Sequence, residues 1–146
     1  MNAYPDTSFL FNLYAPQAHS VRATAHFAGM EEPLHLTSLN RFELVNAIQL
    51  ALFRNTIQRA DGLRALEKIE ANIAAGALVM VPCDWSAVHS RALHLATRHT
   101  ARGGHRGFDI LHVATALELG AKEFLTFDAR QGGLATTMKL RLPLVA

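Results

Sequence analysis

Little in this chain can crosslink it, carry it across a membrane or keep it unfolded. A single cysteine, Cys83, permits no internal disulfide. Only 18% of the 146 residues are charged while 50% are hydrophobic, which excludes a chain too polar to bury a core. Long apolar runs are missing as well. The stretch from Phe42 to Phe53 is interrupted by Glu43, Asn46 and Gln49 and is too short to cross a bilayer, so no membrane association is expected. Met1 to Leu10 has neither the basic start nor the cleavage site of a signal peptide, and the expected location is the cytoplasm. There is no repeat, no low-complexity tract and no linker of Pro, Gly and Ser, so residues 1–146 are expected to form one domain.

What is present is an alternation of short apolar runs with helical stretches. Strands are expected at Asn2–Asp6, Leu34–Thr37, Leu78–Val81, Glu123–Phe127 and Leu140–Val145. Pro5 lacks an amide donor, so it should close the first strand or make that strand very short. Helices are expected at Ser8–Tyr14, Ala18–Ala28, Leu39–Asn55 with Ser38 as its cap, and Arg59–Ala75. Further helices should run from a cap at Asp84 to about His99, over Phe108–Leu119, and after Asp128. This order implies an α/β fold with a mostly parallel central sheet of four to five strands and helices on both faces.

Ligands of open α/β sheets gather at the carboxyl ends of the strands. Asp6 and Asp128 each close an expected strand, Glu43 lies one turn into the helix after the second strand, and Asp109 sits in the first turn of its helix. Each has an ordinary alternative: Asp6 and Asp128 can cap the helices that follow, and Asp109 suits a helix N-terminus. Glu43 is harder to dismiss, because its neighbours Phe42, Leu44, Val45, Ala47 and Ile48 are apolar. If all four face one rim, the carboxylates repel and need a cation, and hard oxygen donors suit Mg²⁺ or Mn²⁺.

Four segments carry a resemblance: Pro5-Asp6-Thr7-Ser8-Phe9-Leu10, Arg41-Phe42-Glu43-Leu44-Val45-Asn46-Ala47, Phe108-Asp109-Ile110-Leu111-His112-Val113-Ala114-Thr115-Ala116 and Phe124-Leu125-Thr126-Phe127-Asp128. In this order and spacing the chain resembles PIN-domain nucleases, and more narrowly the VapC-like toxins of bacterial toxin-antitoxin pairs. The resemblance implies a metal-dependent endoribonuclease, with Asp6, Glu43 and Asp109 at the positions of three core acids and Asp128 at that of a more variable fourth. It also implies that Ser8 and Thr126 support the site, and that an antitoxin and a second copy of the chain are partners. Pro5 departs from the aliphatic residue usual before the first acid.

The remaining polar residues fit an anionic substrate. Eleven of the 14 basic residues are Arg, and setting the four acids aside leaves 14 basic against 8 acidic residues, about +6. Arg98, Arg102 and Arg106 lie in the most basic stretch, which leads into Asp109 and can either hold RNA phosphates or remain a solvated loop. His112 shares a helical face with Asp109 and can contact a metal-bound water, although a structural role is favoured. Asn46 stands at the same offset from Glu43 and can orient it. Cys83 is expected to be buried and Trp85 to join the core. The Leu39–Asn55 helix is apolar nearly all round, which implies burial on more than one side, by a large core or by another molecule. Three rivals stand beside this reading. An aspartyl-phosphate hydrolase of the haloacid dehalogenase type needs a second Asp where Ser8 stands. A non-cleaving PIN-like scaffold would lack core acids, and a housekeeping nuclease of RNA maturation would share all of them.

Overall fold

The computed structural model describes residues 1–144. Its contacts divide into two compact units, one of Met1–Asp6 with Pro82–Ala146 and the other of Thr7–Val81.

The first unit is built on two short parallel strands, β1 (Ala3–Pro5) and β4 (Glu123–Leu125), with Tyr4 opposite Phe124 and Pro5 opposite Leu125. Proline is tolerated here because amides alternate in direction along a strand. The Asp6 amide donates to the Leu125 carbonyl at 3.0 Å, so the missing Pro5 donor faces away from β4. The core is apolar and aromatic: Tyr4 stacks on Phe124 with ring centroids 5.7 Å apart, and Val88, Val113, Phe124 and Ala135 are fully buried.

Helix α5 (Trp85–Leu95) is capped by the Asp84 carboxylate, as expected, and packs along α7 (Gly107–Glu118). It does not run on as a plain α-helix to His99. Ala96–Thr100 form a π-helical turn, followed by the short α6 (Ala101–Gly103), which ends at Gly104 with φ 65°. Gly120 at φ 69° stops α7, and α8 (Ala129–Thr137) follows β4. The last expected strand is reduced among the described residues to one parallel bridge between Arg141 and Glu123, and Val145 lies outside them. Trp85 packs against the core as expected. Cys83 is half-buried rather than buried, and its burial, with Glu118 and Asp84 nearby, pushes the thiol up from its ordinary value. That holds it protonated and unreactive at neutral pH.

The second unit contains α1 (Thr7–Tyr14), α2 (Ser20–Ala28), β2 (Leu34–Leu36), α3 (Ser38–Phe53), α4 (Arg59–Ala74) and β3 (Leu78–Met80). Strands β2 and β3 pair in parallel, Leu34 opposite Leu78. Among the described residues the strands are thus parallel, in two ladders of two strands each. Helices α3 and α4 pack closely at Gly62, where an added Cβ would stand 2.5 Å from Leu52 Cδ2.

One expectation for α3 is corrected. Its cap is Thr37, not Ser38: the Thr37 hydroxyl accepts from the Asn40 amide, and the Asn40 side chain accepts from the Thr37 amide at 2.7 Å. Only this arrangement closes a reciprocal pair of bonds, which Ser38 has no partner to form. Of the two covers expected for α3, the core of this chain supplies only one side. The helix buries the single stripe Asn40, Leu44, Ile48 and Ala51 and leaves Phe42 61% and Phe53 83% exposed. The cap is open to test by urea denaturation: Thr37→Ala should cost about 1 kcal/mol. Ser38→Ala should cost almost nothing, and the opposite order would restore Ser38 as the cap.

Candidate functional site

Parallel pairing places the carboxyl ends of β1 and β4 side by side, and the residues just beyond them meet. Asp6 is 1% exposed, and the Thr126 hydroxyl donates to its Oδ2. The same hydroxyl oxygen accepts from the Asp128 amide at 2.9 Å, so Thr126 joins two of the acids and turns the chain out of β4 at Leu125 rather than Phe127. The Asp128 carboxylate caps α8, accepting from the amides of Arg130 and Gln131 at 2.9 and 3.0 Å.

Asp109, 8% exposed in the first turn of α7, accepts from Arg106 Nε at 2.8 Å and from Arg106 Nη2 at 3.3 Å. Arg106 Nη2 also stands 3.6 Å from Asp128 Oδ2. One guanidinium therefore bridges two acids that would otherwise repel. Of the two roles left open for Arg106, a hold on RNA or a place in a solvated loop, its contacts match neither: it lies on the carboxylates.

Gln131 was not singled out from the sequence. It is 3% exposed, its amide donates to Asp109 Oδ1 at 3.2 Å, and its Oε1 is buried with no hydrogen-bond partner among the described residues. The available signal was its position three residues after Asp128, on one face of α8.

Glu43 belongs to the other unit, where the Thr7 hydroxyl donates to its Oε1. Thr7 follows Asp6 directly in the chain and was also missed as a site residue. The support that Asn46 could have given Glu43 is not found. Asn46 is exposed and makes no bond to Glu43, because it points to the open groove lined by Phe42, Val45 and Met80. Ser8, half-buried, lines a groove with Thr7, Phe11 and Arg54. His112 is buried and bonded through Nδ1 to the Tyr4 hydroxyl at 2.7 Å, the structural role favoured for it.

Among the described residues, no three His, Cys, Asp or Glu side chains already form a metal cage. The donor chemistry nonetheless fits a hard divalent cation. Carboxylate oxygens from Asp6, Asp109 and Asp128 belong to one bonded network, a neutral amide oxygen beside Asp109 lacks a donor, and Arg106 already supplies positive charge between two of the acids.

A parallel α/β arrangement with acids at the carboxyl ends of paired strands defines the class, and the family model described as PIN domain matches residues 3–135. The chain belongs to the PIN domain family. Its fold is similar to that of Mycobacterium tuberculosis VapC20, described as a sarcin-ricin loop cleaving toxin, with 17% identity over 90% of this chain and 94% of that one and a TM-score of 0.67. It is also similar to VapBC-1 of nontypeable Haemophilus influenzae, at 14% identity, 97% and 96% coverage and a TM-score of 0.63. FitAcB of Neisseria gonorrhoeae shares 18% identity, with 97% and 96% coverage and a TM-score of 0.65. A comparison with curated proteins gave no match.

The Thr126 junction makes a direct demand on stability. Thr126→Val keeps the shape but takes a donor from a buried carboxylate and an acceptor from the Asp128 amide, so it should cost about 2 kcal/mol in urea denaturation at neutral pH. Thr126→Ser should recover most of the loss. Equal stability of the Val variant would mean that the hydroxyl does not hold Asp6.

Proposed function

We propose that this PIN-domain chain is a Mg²⁺- or Mn²⁺-dependent endoribonuclease, acting in the cytoplasm as the toxin of a toxin-antitoxin pair. Residues 1–146 are proposed to act as one nuclease domain. Asp6, Glu43, Asp109 and Asp128 are its catalytic, metal-ligating carboxylates. The observation that carries the reading is the bonded acid network at the ends of β1 and β4, where Arg106 bridges Asp109 and Asp128 and Thr126 joins Asp6 to Asp128. Family membership and the likeness in fold to VapC20, VapBC-1 and FitAcB support it.

A bound divalent cation would supply an activated water and neutralise charge on the leaving oxygen of a phosphodiester. The chain's own residues prepare that chemistry. Thr126 fixes the Asp6 carboxylate, Gln131 holds Asp109 from the buried side, and Thr7 fixes Glu43. Arg106 neutralises the acids and can turn from them to a substrate phosphate, a bidentate partner for its guanidinium.

For partners, the exposed Phe42, Leu50 and Phe53 of α3 give an apolar surface suited to a second copy of the chain and to an antitoxin helix. No helix among the described residues is long and apolar enough to cross a membrane.

Cleavage of labelled RNA in Mg²⁺ or Mn²⁺ tests the reading, with loss of activity expected on adding EDTA. Activity that persists in excess chelator would contradict the metal requirement. Within the site, Asp109→Asn should abolish cleavage, because it loses a central ligand. Asp128→Asn should be partly rescued by more Mn²⁺, and total loss at every Mn²⁺ concentration would place Asp128 among the indispensable ligands.

A further inference from the structure

A concavity in the Met1–Asp6 and Pro82–Ala146 unit has no place in the acid network. It is lined by His94, Leu95, Arg98, His99, Arg102, Thr137 and Met138. Four of its seven side chains are basic and none is acidic. The contact between Arg98 Nη1 and His94 Nε2, at 3.5 Å, joins two of the basic groups to each other. Among the described residues, neither arginine has a carboxylate partner, whereas Arg91 and Arg141 of the same unit are paired with Glu118 and Glu123. Guanidiniums without a carboxylate partner, gathered in a concavity, leave a local positive potential that favours an anion.

The backbone explains why these residues share one wall. In a regular α-helix, positions five apart such as His94 and His99 point about 140° apart, at 3.6 residues per turn. The π-helical turn Ala96–Thr100 widens the helix where α5 ends, and with its i to i+5 bonding it brings His99 round to the side of His94. Arg98 and Arg102 flank the two histidines, and the C-terminal end of α8 closes the wall with Thr137. Such π turns are rare and frequently sit at functional sites.

Helix α8 also measures the pocket against the acids. It is capped by Asp128 at its start and lends Thr137 to the pocket at its end, nine residues later. At 1.5 Å per residue the two sites lie about 14 Å apart along the helix. The basic segment makes the same link, since Arg102 and Arg106 are four residues apart and span at most about 14 Å. A strand of nucleic acid crosses that interval in a short run of nucleotides.

We infer that His94, Arg98, His99, Arg102 and Thr137 form a phosphodiester-binding subsite that holds the backbone of single-stranded RNA a few nucleotides from the bond at the Asp6, Asp109 and Asp128 network. The inference rests on the endoribonuclease reading for its substrate but makes its own demand. The arginines contact phosphate, not bases, so they contribute affinity and salt dependence with little sequence preference.

The test measures binding of a fluorescently labelled single-stranded RNA by anisotropy in EDTA over a series of salt concentrations, in the full chain carrying Asp109→Asn so that the RNA stays intact. Replacing Arg98 and Arg102 together by Ala should lower affinity at least about tenfold and reduce the slope of log K against log salt by about 1.4, two phosphate contacts at roughly 0.7 each for a single strand. Removing the same charge by replacing Arg91 and Arg141 should leave the slope nearly unchanged, since both are already paired. Thermal melts confirm that each variant is folded. An unchanged slope in the Arg98 and Arg102 variant, or an equal fall in the Arg91 and Arg141 control, overturns the subsite in favour of diffuse surface charge.

Inorganic phosphate supplies a second arm, read by NMR of the His94 and His99 rings. Shifts with phosphate but no change in RNA slope would make the pocket a site for small phosphates and overturn the RNA assignment. Failure of the nuclease reading looks different: wild-type protein would bind RNA with the predicted slope and never cut it.

Discussion

Charge repulsion is the constraint around which the site is organised. Asp6, Asp109 and Asp128 are drawn into one bonded network beside the ends of β1 and β4, and carboxylates brought together in a shielded place oppose the fold unless positive or hydrogen-bonding groups meet them. Here Arg106 neutralises two of them, Thr126 donates to the most deeply buried, and Gln131 donates to Asp109. The local architecture serves these contacts. The β1–β4 ladder brings Thr126 to Asp6, the cap of α8 aims Asp128, and the first turn of α7 sets Asp109 three residues from Arg106.

The network also shows why a protein with so few charges keeps so many of them near one place. Asp109 and Asp6 are almost sealed from water beside a core of Tyr4, Phe124 and Val113, with Asp109 in α7 and Asp6 directly after β1. The His112 bond to Tyr4 braces β1 against α7 from beneath. Helical spacing put this residue on the face of Asp109, and its bond to Tyr4 matches the structural role favoured for it. Contacts also separate Arg106, which lies on the acids, from Arg98 and Arg102, which line a pocket of their own.

The positions of Asp6, Asp109 and Asp128 were legible in the sequence because local rules place them: two strand ends and a helix first turn. The α/β alternation and most helix starts were legible for the same reason, including the Asp84 cap and the Gly120 stop. What escaped the sequence was set by contacts across long separations or by rare backbone. Thr7 finds Glu43 across 36 positions and Gln131 finds Asp109 across 22, and neither residue type announces that partner. The π turn at Ala96–Thr100 has no composition of its own, so the expected plain helix from Asp84 to about His99 missed it. Ser38 is the slightly better cap by type than Thr37, and only the reply of Asn40 decides for Thr37.

If the acids form a cation site whose charge Arg106 now balances, the guanidinium and a divalent metal must compete for Asp109 and Asp128. Calorimetric titration with Mn²⁺, without RNA, compares the wild-type chain with Arg106→Ala most directly. The account predicts binding to both, and several-fold tighter binding to the variant because a competing cation has gone. Weaker binding to the variant, or no saturable binding to either protein, would contradict it.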